Sequence, residues 1–514
     1  MASDSGSVRA VVKAAINVQG LLQGILNRPI PGVETVSVVT RDSRNMEKGG
    51  LFIALAGVKS GASCYVPDAI QRGASLVLID DDTGGSEGEY DDEASTADCK
   101  VIRVQGLKAH AGDIFARVYG NVSKTMPVIG VTGTNGKTSV SHFIASLLSE
   151  IRLQPQGIVG TLGAGILGEL KPSLHTTPDV ESVHRTLYEI SEVGGQVVSM
   201  EVSSHALEQG RVDGVRFEGA VFTNLSRDHL DYHGSMEAYF AAKSKLLLSR
   251  ELDWAVLNGD DEYGRRIIAR IDTSRCLTFG IQNPDADLFV EQPEFTRTGM
   301  SGYLVWQRRR YPFSVNLLGR FNIYNVLATV GVLLSMGIPI ADIVPALQKL
   351  RTVPGRMEMV EVPDPGSKPL VVIDYAHTPD ALKNALMALR EHSDRQVWCL
   401  FGCGGDRDAG KREQMGAIAS DFADRVVVTT DNPRSENPAE IIQQIVSGMD
   451  SLRSCQIEQD RRNAITSAID KATPEDIILI AGKGHEDYQE IKGQRLPFSD
   501  FSVAREALSN WGRV

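Results

Sequence analysis

At 514 residues the chain should divide into about three domains, each able to bury its own core, and 42% hydrophobic with 23% charged residues is the composition of an ordinary globular protein. A formal net charge of −12 disfavours a nucleic-acid partner, because affinity for a phosphate backbone needs clustered Lys and Arg. The six cysteines (Cys64, Cys99, Cys276, Cys399, Cys403, Cys455) are scattered without a Cys-x-x-Cys pair, which suits a reducing compartment and argues against a zinc site; no apolar run reaches the roughly 18 residues of a membrane span, and Asn17, Gln19 and Gln23 interrupt the apolar residues after Arg9 and Lys13, so that no signal peptide and a cytoplasmic location are expected.

The first block, residues 1 to 125, holds short strand-like runs at 51–55 and 75–79 and an acidic stretch, 80–98, containing Gly84, Gly85 and Gly88. Its low hydrophobicity and like charges predict a surface loop. The second block, 126 to 350, opens with the apolar run 127–131 directly before Thr132, Gly133, Thr134, Asn135, Gly136, Lys137 and Thr138. Val140, Phe143, Ile144, Leu147, Leu148 and Ile151 then follow the i, i+3, i+4, i+7 spacing of a helix with one buried face.

Strand, Gly-Lys-Thr and helix in that order read as a triphosphate-binding loop. Gly133 and Gly136 let backbone N–H groups approach phosphate oxygens, the helix adds its positive dipole end, Lys137 reaches the β/γ-phosphates, and the Thr138 hydroxyl can ligate Mg²⁺. Val131 stands where the common Gly-x-x-x-x-Gly-Lys-[Ser/Thr] loop has its first Gly, and this shortened form points to a subfamily.

Further strand-like runs at 197–202, 220–224 and 254–257 alternate with helical segments, the pattern of a mostly parallel sheet. Glu201 ends one run, and with Thr138 it makes a sensible oxygen shell for Mg²⁺. His229 and His233, in the cluster after Asn224, are candidates for a second metal. Lys243 closes the apolar helical segment 239–243, and spacing alone makes it a surface lysine that snorkels outward. The basic run 308–310 reads as a solvated hairpin tip, and 351–356, with Pro354 and Gly355, as a hinge.

In the third block, 351 to 514, four apolar runs at 370–373, 397–401, 426–428 and 477–480 each lead into a polar cluster: 374–378, 404–407, 431–434 and 482–486. In a doubly wound sheet ligands bind outside the carboxyl ends of the strands, so these clusters should line one crevice. Arg407, Arg434 and Glu486 suit a molecule with both carboxylate and amine groups.

The strings at 133–138, 201–205, 227–231, 319–325, 354–358 and 374–377 resemble those of the Mur ligases, over nearly the whole chain from Asp42-Ser43-Arg44 to Phe498-Ser499-Asp500. The shortened loop is the family's own form, and the acidic stretch is longer than the family's usual insert. The resemblance implies an α/β fold of three domains: an N-terminal domain for the UDP-sugar-peptide, a central P-loop ATPase-type domain with a mostly parallel sheet, and a C-terminal Rossmann-like doubly wound domain for the amino acid. It further implies that ATP converts a substrate carboxylate to an acyl phosphate, which an amino-acid amine attacks to form an amide. Thr138 and Glu201 are then expected to hold one Mg²⁺, and His229 to help hold another. Lys243 should carry a carbamate acting at a metal, while Lys137 stabilises the transferring phosphate. Asn325, Arg356, Asp374 and His377 match residues around ATP. Ser43 matches the uridine site, and Thr176, Thr177, Ser203, Gln209 and Arg211 match contacts to the nucleotide-sugar-peptide.

The tetrapeptide Asp431-Asn432-Pro433-Arg434 resembles the form in the branch that adds meso-diaminopimelate to UDP-N-acetylmuramoyl-L-alanyl-D-glutamate. Lysine-adding relatives lack the Arg, whose guanidinium can grip the second carboxylate bidentately. Arg407, Gly482 and Glu486 complete the expected amino-acid site, and a monomer is expected. A lysine-adding ligase is disfavoured by Arg434, and a folylpolyglutamate synthase by the N-terminal block and Glu201-Val202-Ser203-Ser204-His205. A nucleotide-dependent switch protein is disfavoured by the four strand-end clusters.

Overall fold

The computed structural model describes residues 15–26, 29–55, 61–81, 90–91, 94–173, 175–249, 251–363, 365–449 and 455–512. The chain forms two compact units, Met1–Leu277 and Thr278–Val514.

After a short antiparallel pair, Ile16–Asn17 with Thr35–Val36, the first unit builds a parallel four-stranded sheet in chain order, Val39–Thr40, Gly50–Ala54, Ala74–Asp81 and Lys100–Gln105. Alternate residues face opposite sides. Leu51, Ile53, Leu76 and Leu78 pack in one cluster with Leu107, Ile114 and Phe115 of helix Leu107–Val118, and Phe52, Val77 and Ile79 in another with Val66 and Ala69 of helix Val66–Gln71. The acidic stretch begins later than expected. Asp80 and Asp81 are the last residues of a strand and are buried, because pairing with Val104 and Gln105 carries the ladder beyond the apolar run. Asp80 also accepts a hydrogen bond from the backbone N–H of Lys108, in the first turn of helix Leu107–Val118. Residues 82–89 and 92–93 of that stretch lie outside the described residues.

Next in the first unit come five parallel strands in the order Trp254–Asn258, Gly219–Phe222, Val128–Thr132, Val198–Glu201 and Gly157–Gly160, with Gly163–Ile166 antiparallel at the edge. Val128–Thr132 is central and wholly buried, as a parallel strand covered on both faces should be. It feeds helix Lys137–Arg152, whose Val140, Phe143, Ile144, Leu147 and Leu148 are buried on the periodicity read from the sequence.

The second unit carries the antiparallel strands Leu288–Thr296, Gly299–Trp306 and Arg309–Val315, helix Arg320–Ser335, and a six-stranded sheet. The basic run does cap a hairpin: Gln307 and Arg308 turn it at positive φ, while Arg309 and Arg310 belong to the returning strand and Arg310 pairs with Glu291. In the sheet, Leu370–Asp374, Ile477–Ala481, Val397–Phe401, Arg425–Val428 and Cys455–Ile457 run parallel, with Glu358–Met359 antiparallel at the edge. Val372, Cys399, Phe401 and Val428 meet helices Pro379–Arg390, Gly410–Phe422 and Pro438–Ser447; Val371, Ile373, Leu400 and Val427 meet Arg461–Lys471 and Asp500–Asn510. Helices on both faces make the sheet doubly wound, and its parallel strands bring the four polar clusters to one edge. Among the described residues no helix is long and apolar enough to cross a membrane.

Candidate active site

The phosphate loop is braced by the neighbouring strand end. Thr134 N donates to Asn224 O at 2.8 Å, Asn135 N to Asn224 Oδ1 at 3.0 Å, and Thr223 Oγ1 to Asn135 O at 2.6 Å. Gly133 has φ +145°, and a Cβ there would collide with Thr223 Oγ1, so the loop can pass this strand only with glycine. Gly136, at φ +86°, caps the helix that Lys137 and Thr138 begin. Lys137 Nζ donates to Gly133 O at 3.0 Å and Thr134 O at 2.9 Å. Thr132 Oγ1 donates to Val202 O at 2.8 Å, tying the loop's base to the Glu201 strand.

Glu201 is 0% exposed and takes three donors: Thr138 Oγ1 at 3.0 Å, Thr161 N at 2.8 Å and Thr161 Oγ1 at 3.2 Å. The hydroxyl and carboxylate that the sequence pairs as metal donors are therefore adjacent. These hard oxygens, at a helix start beside the phosphate loop, fit Mg²⁺. Among the described residues no group of three or more His, Cys, Asp or Glu gathers to hold a metal, so an ion here would draw its remaining ligands from water and phosphate, as Mg²⁺ does.

Lys243 does not snorkel. Helix Met236–Leu247 packs its Lys243 inward to 1% exposure, where Nζ donates to Gly133 O at 2.8 Å and lies 4.7 Å from the Tyr239 ring centroid. Burial first, and then the Lys137 ammonium, hold its amine well below the ordinary lysine pKa. Tyr239 also bonds Thr134 through its hydroxyl at 3.2 Å. His229, at φ +52°, is half-exposed, with Nε2 3.4 Å from Asp228. Its ring packs on that of His205 at 4.9 Å, and His205 in turn on His233 at 5.5 Å.

Thr176 and Thr177 adjoin this centre. Thr161 Oγ1 bonds Thr176 Oγ1 at 3.1 Å, and Thr177 Oγ1 donates to Glu201 O at 2.7 Å and to Ser203 Oγ at 3.3 Å. Arg211 donates to Thr177 O at 2.9 Å and grips Gln209 Oε1 with Nη2 at 2.6 Å. Ser43 lies elsewhere in this unit, on the wall of a cavity of about 580 Å³ that Arg41, Arg44, Tyr65, Asp179 and Arg185 also line. At its edge Glu181 accepts from Thr40 Oγ1 at 3.0 Å and Arg41 N at 2.8 Å, and burial pushes its carboxyl up.

In the second unit the four clusters are joined to one another. Gly482 N donates to Asp374 O at 3.1 Å, Gly405 N to Asn432 O at 2.9 Å, and Asn432 Nδ2 to Glu486 Oε2 at 2.8 Å. Arg434, at φ +50°, donates through Nη1 to Gly405 O at 2.7 Å and lies 3.5 Å from Glu490. Asp431 is buried and accepts from Asn432 N at 2.6 Å; burial raises its carboxyl, and a Cβ at Gly482 (φ +112°) would strike it. Pro433 O accepts from Glu436 N at 3.0 Å, and Arg407 is exposed. Arg356 stacks over Tyr375 at 5.2 Å, Asp374 accepts from Met357 N at 2.8 Å, and His377 Nδ1 lies 2.9 Å from Tyr375 O. Burial raises the Asp374 carboxyl, opposed by Arg356, and lowers His377. Asn325 is buried within helix Arg320–Ser335, donating to Asn322 Oδ1 at 2.8 Å.

Sequence reading missed Thr161 and Glu490. Thr161 follows strand Gly157–Gly160 directly, and a polar residue immediately after a parallel strand was a signal that could have marked it.

The Mur ligase middle domain matches residues 131–333, and the Mur ligase glutamate ligase domain matches residues 355–484. The chain belongs to the Mur ligase family. A Pseudomonas aeruginosa protein named UDP-N-acetylmuramoyl-L-alanyl-D-glutamate–2,6-diaminopimelate ligase is 45% identical over 489 residues, covering 95% of this chain and 98% of that one. A protein of the same name from Ectopseudomonas mendocina is also 45% identical, with 95% and 98% covered. A solved structure titled as a UDP-N-acetylmuramoyl-L-alanyl-D-glutamate–2,6-diaminopimelate ligase superposes with a TM-score of 0.73 at 34% identity, covering 96% of this chain and 99% of that one. Relatives of this name, 45% identical over 95% of the chain, stand against the folylpolyglutamate synthase reading.

Proposed function

We propose that this protein is an ATP-dependent ligase that joins meso-diaminopimelate to UDP-N-acetylmuramoyl-L-alanyl-D-glutamate in peptidoglycan synthesis, working in the cytoplasm. The substrate carboxylate oxygen attacks the γ-phosphorus of ATP and ADP leaves. The amine nitrogen then attacks the carbonyl carbon of the acyl phosphate, loses a proton, and expels phosphate. Both steps gather negative charge, so catalysis is chiefly electrostatic. Lys137 leaves its loop carbonyls for the transferring phosphate. Thr138 and Glu201 would hold one Mg²⁺ and His229 would help to hold a second, and such ions would neutralise charge on the phosphate oxygens.

Burial depresses the Lys243 amine and so favours its neutral form, the nucleophile for CO₂: an N–C bond forms as one C–O π bond opens, a proton leaves, and the side chain becomes an anionic oxygen donor. We assign that carbamate to Lys243. We assign Ser43 to the uridine, and Thr176, Thr177, Ser203, Gln209 and Arg211 to the sugar-peptide. Asn325, Arg356, Asp374 and His377 go to ATP. The cluster of Arg407, Asp431, Asn432, Pro433, Arg434, Gly482 and Glu486 goes to the amino acid, with domain boundaries near 125 and 350.

The observation that carries the choice of amino acid is Arg434, held at the strand ends by Gly405 O within the hydrogen-bonded group that includes Asn432 and Glu486. That group offers a cation for a carboxylate and a carboxylate for an ammonium. Phosphate release tests the reading: turnover should require the nucleotide-peptide and diaminopimelate together, with one amide product by mass. Turnover without either would refute it, and preference for lysine would transfer it to the lysine-adding reading.

A further inference from the structure

Lys483 is 0% exposed and belongs to no role assigned above. It sits in the turn after strand Ile477–Ala481, between Gly482 at φ +112° and Gly484 at φ +54°. A buried ammonium is costly unless paired, and this one is paired with the two residues to which the amino-acid reading gives substrate contacts. Nζ donates to Glu486 Oε2 at 3.0 Å and to Asn432 Oδ1 at 3.2 Å, and stands 5.5 Å from the Tyr488 ring centroid.

These bonds dictate orientation. Asn432 Oδ1 also accepts from Glu490 N at 2.9 Å, so the oxygen end of the amide is committed and its Nδ2 is turned to Glu486 Oε2 at 2.8 Å. Oε2 thus takes two protein donors. No protein donor among the described residues is bonded to Oε1, and the Glu486 side chain keeps 19% of its surface exposed. A carboxylate pinned by one oxygen presents the other in a fixed direction.

We propose that Lys483 is a positioning residue for the amino-acid substrate, holding Glu486 by Oε2 so that Oε1 receives an ammonium. That ammonium is the one on the carbon that does not react, since an amine held protonated by a carboxylate cannot attack the acyl phosphate. Arg434 would then take the carboxylate on the same carbon. The proposal rests on the placement of the amino-acid site given above.

The test compares Lys483→Met, Glu486→Gln and their double variant in the full-length enzyme, with kcat, KM for each of the three substrates and the melting temperature. Expected is a rise of tenfold or more in KM for meso-diaminopimelate in Lys483→Met, with KM for ATP within twofold. The double variant should be no worse than Glu486→Gln alone, because Lys483 acts through Glu486. A lysine that merely stabilises the turn would instead lower the melting temperature and multiply with Glu486→Gln, which overturns the proposal. If Glu486→Gln itself leaves KM for diaminopimelate unchanged, the placement of the amino-acid site fails first. Should Lys483→Met not fold, a crystal structure of the native enzyme with meso-diaminopimelate decides. An ammonium on Oε1 with Lys483 still on Oε2 supports the proposal, and Lys483 displaced from Oε2 overturns it.

Discussion

Replacing Arg434 separates substrate selection from stability. Its guanidinium uses Nη1 on Gly405 O and leans on Glu490 at 3.5 Å, leaving donors for the second carboxylate of diaminopimelate, a group lysine lacks. A charge-assisted contact of this type contributes roughly 1.5–3 kcal/mol, so Arg434→Ala should cut the diaminopimelate-to-lysine ratio of kcat/KM by about 10- to 100-fold. The backbone at 434 has φ +50°, in the left-handed region that costs a side-chain-bearing residue about 1–2 kcal/mol. Arg434→Gly relieves that strain and Arg434→Ala does not. Both variants should therefore lose selectivity equally, while the Gly variant unfolds at higher denaturant concentration, by about 1 kcal/mol. Competition between the two amino acids with mass detection of the products, alongside urea unfolding, measures both quantities. An unchanged product ratio in the two variants would refute the role given to Arg434.

Glu201→Gln keeps the size of the side chain but removes the anionic oxygen beside Thr138, so the Mg²⁺ concentration for half-maximal turnover should rise by about 10- to 100-fold, read from a magnesium titration of phosphate release. Carbon-13 bicarbonate should give a carbamate NMR signal that is absent from Lys243→Met. Because burial depresses this amine, the signal grows as pH rises through the depressed pKa and the neutral form appears, and fades as acid protonates it; a signal independent of pH would contradict the assignment. Arg461 and Asp500 form an ion pair at 2.7 Å with both side chains 0% exposed, so Asp500→Ala should cost about 3–5 kcal/mol by leaving a buried cation alone. Replacing both partners with apolar residues should restore most of that in the same unfolding assay.

The parts of this molecule that were legible in the sequence are those whose signal is local. A phosphate loop needs only an apolar strand, Gly-Lys-Thr and a periodic helix in succession, and helix Lys137–Arg152 buries the residues that periodicity picks out except Ile151 in its last turn, which is half-buried. The strand-end clusters were legible because each follows its own apolar run. What stayed hidden depends on a distant partner. Asp80 and Asp81 look like loop until strand Lys100–Gln105 is seen to pair with them. Lys243 looks like surface until its helix is packed against Gly133. Arg412 reads as an ordinary charge on helix Gly410–Phe422, yet it is 1% exposed and binds Glu436 at 2.8 Å. Amphipathic spacing marks which face of a helix is inward but not which polar residue on it will find a counter-ion there.

The mutual stitching of the four strand-end loops bears on how this pocket could evolve. Because Gly405, Asn432 and Glu486 are bonded in sequence, and Asp374 is bonded to Gly482 beside Asp431, a change in any one loop alters the footing of the rest. A lineage drifting toward another amino acid would meet strong epistasis: exchanging Arg434 alone forfeits the old substrate before the new one is accommodated. Preference for the third residue of a cell-wall peptide would then change in concerted jumps rather than by graded single steps.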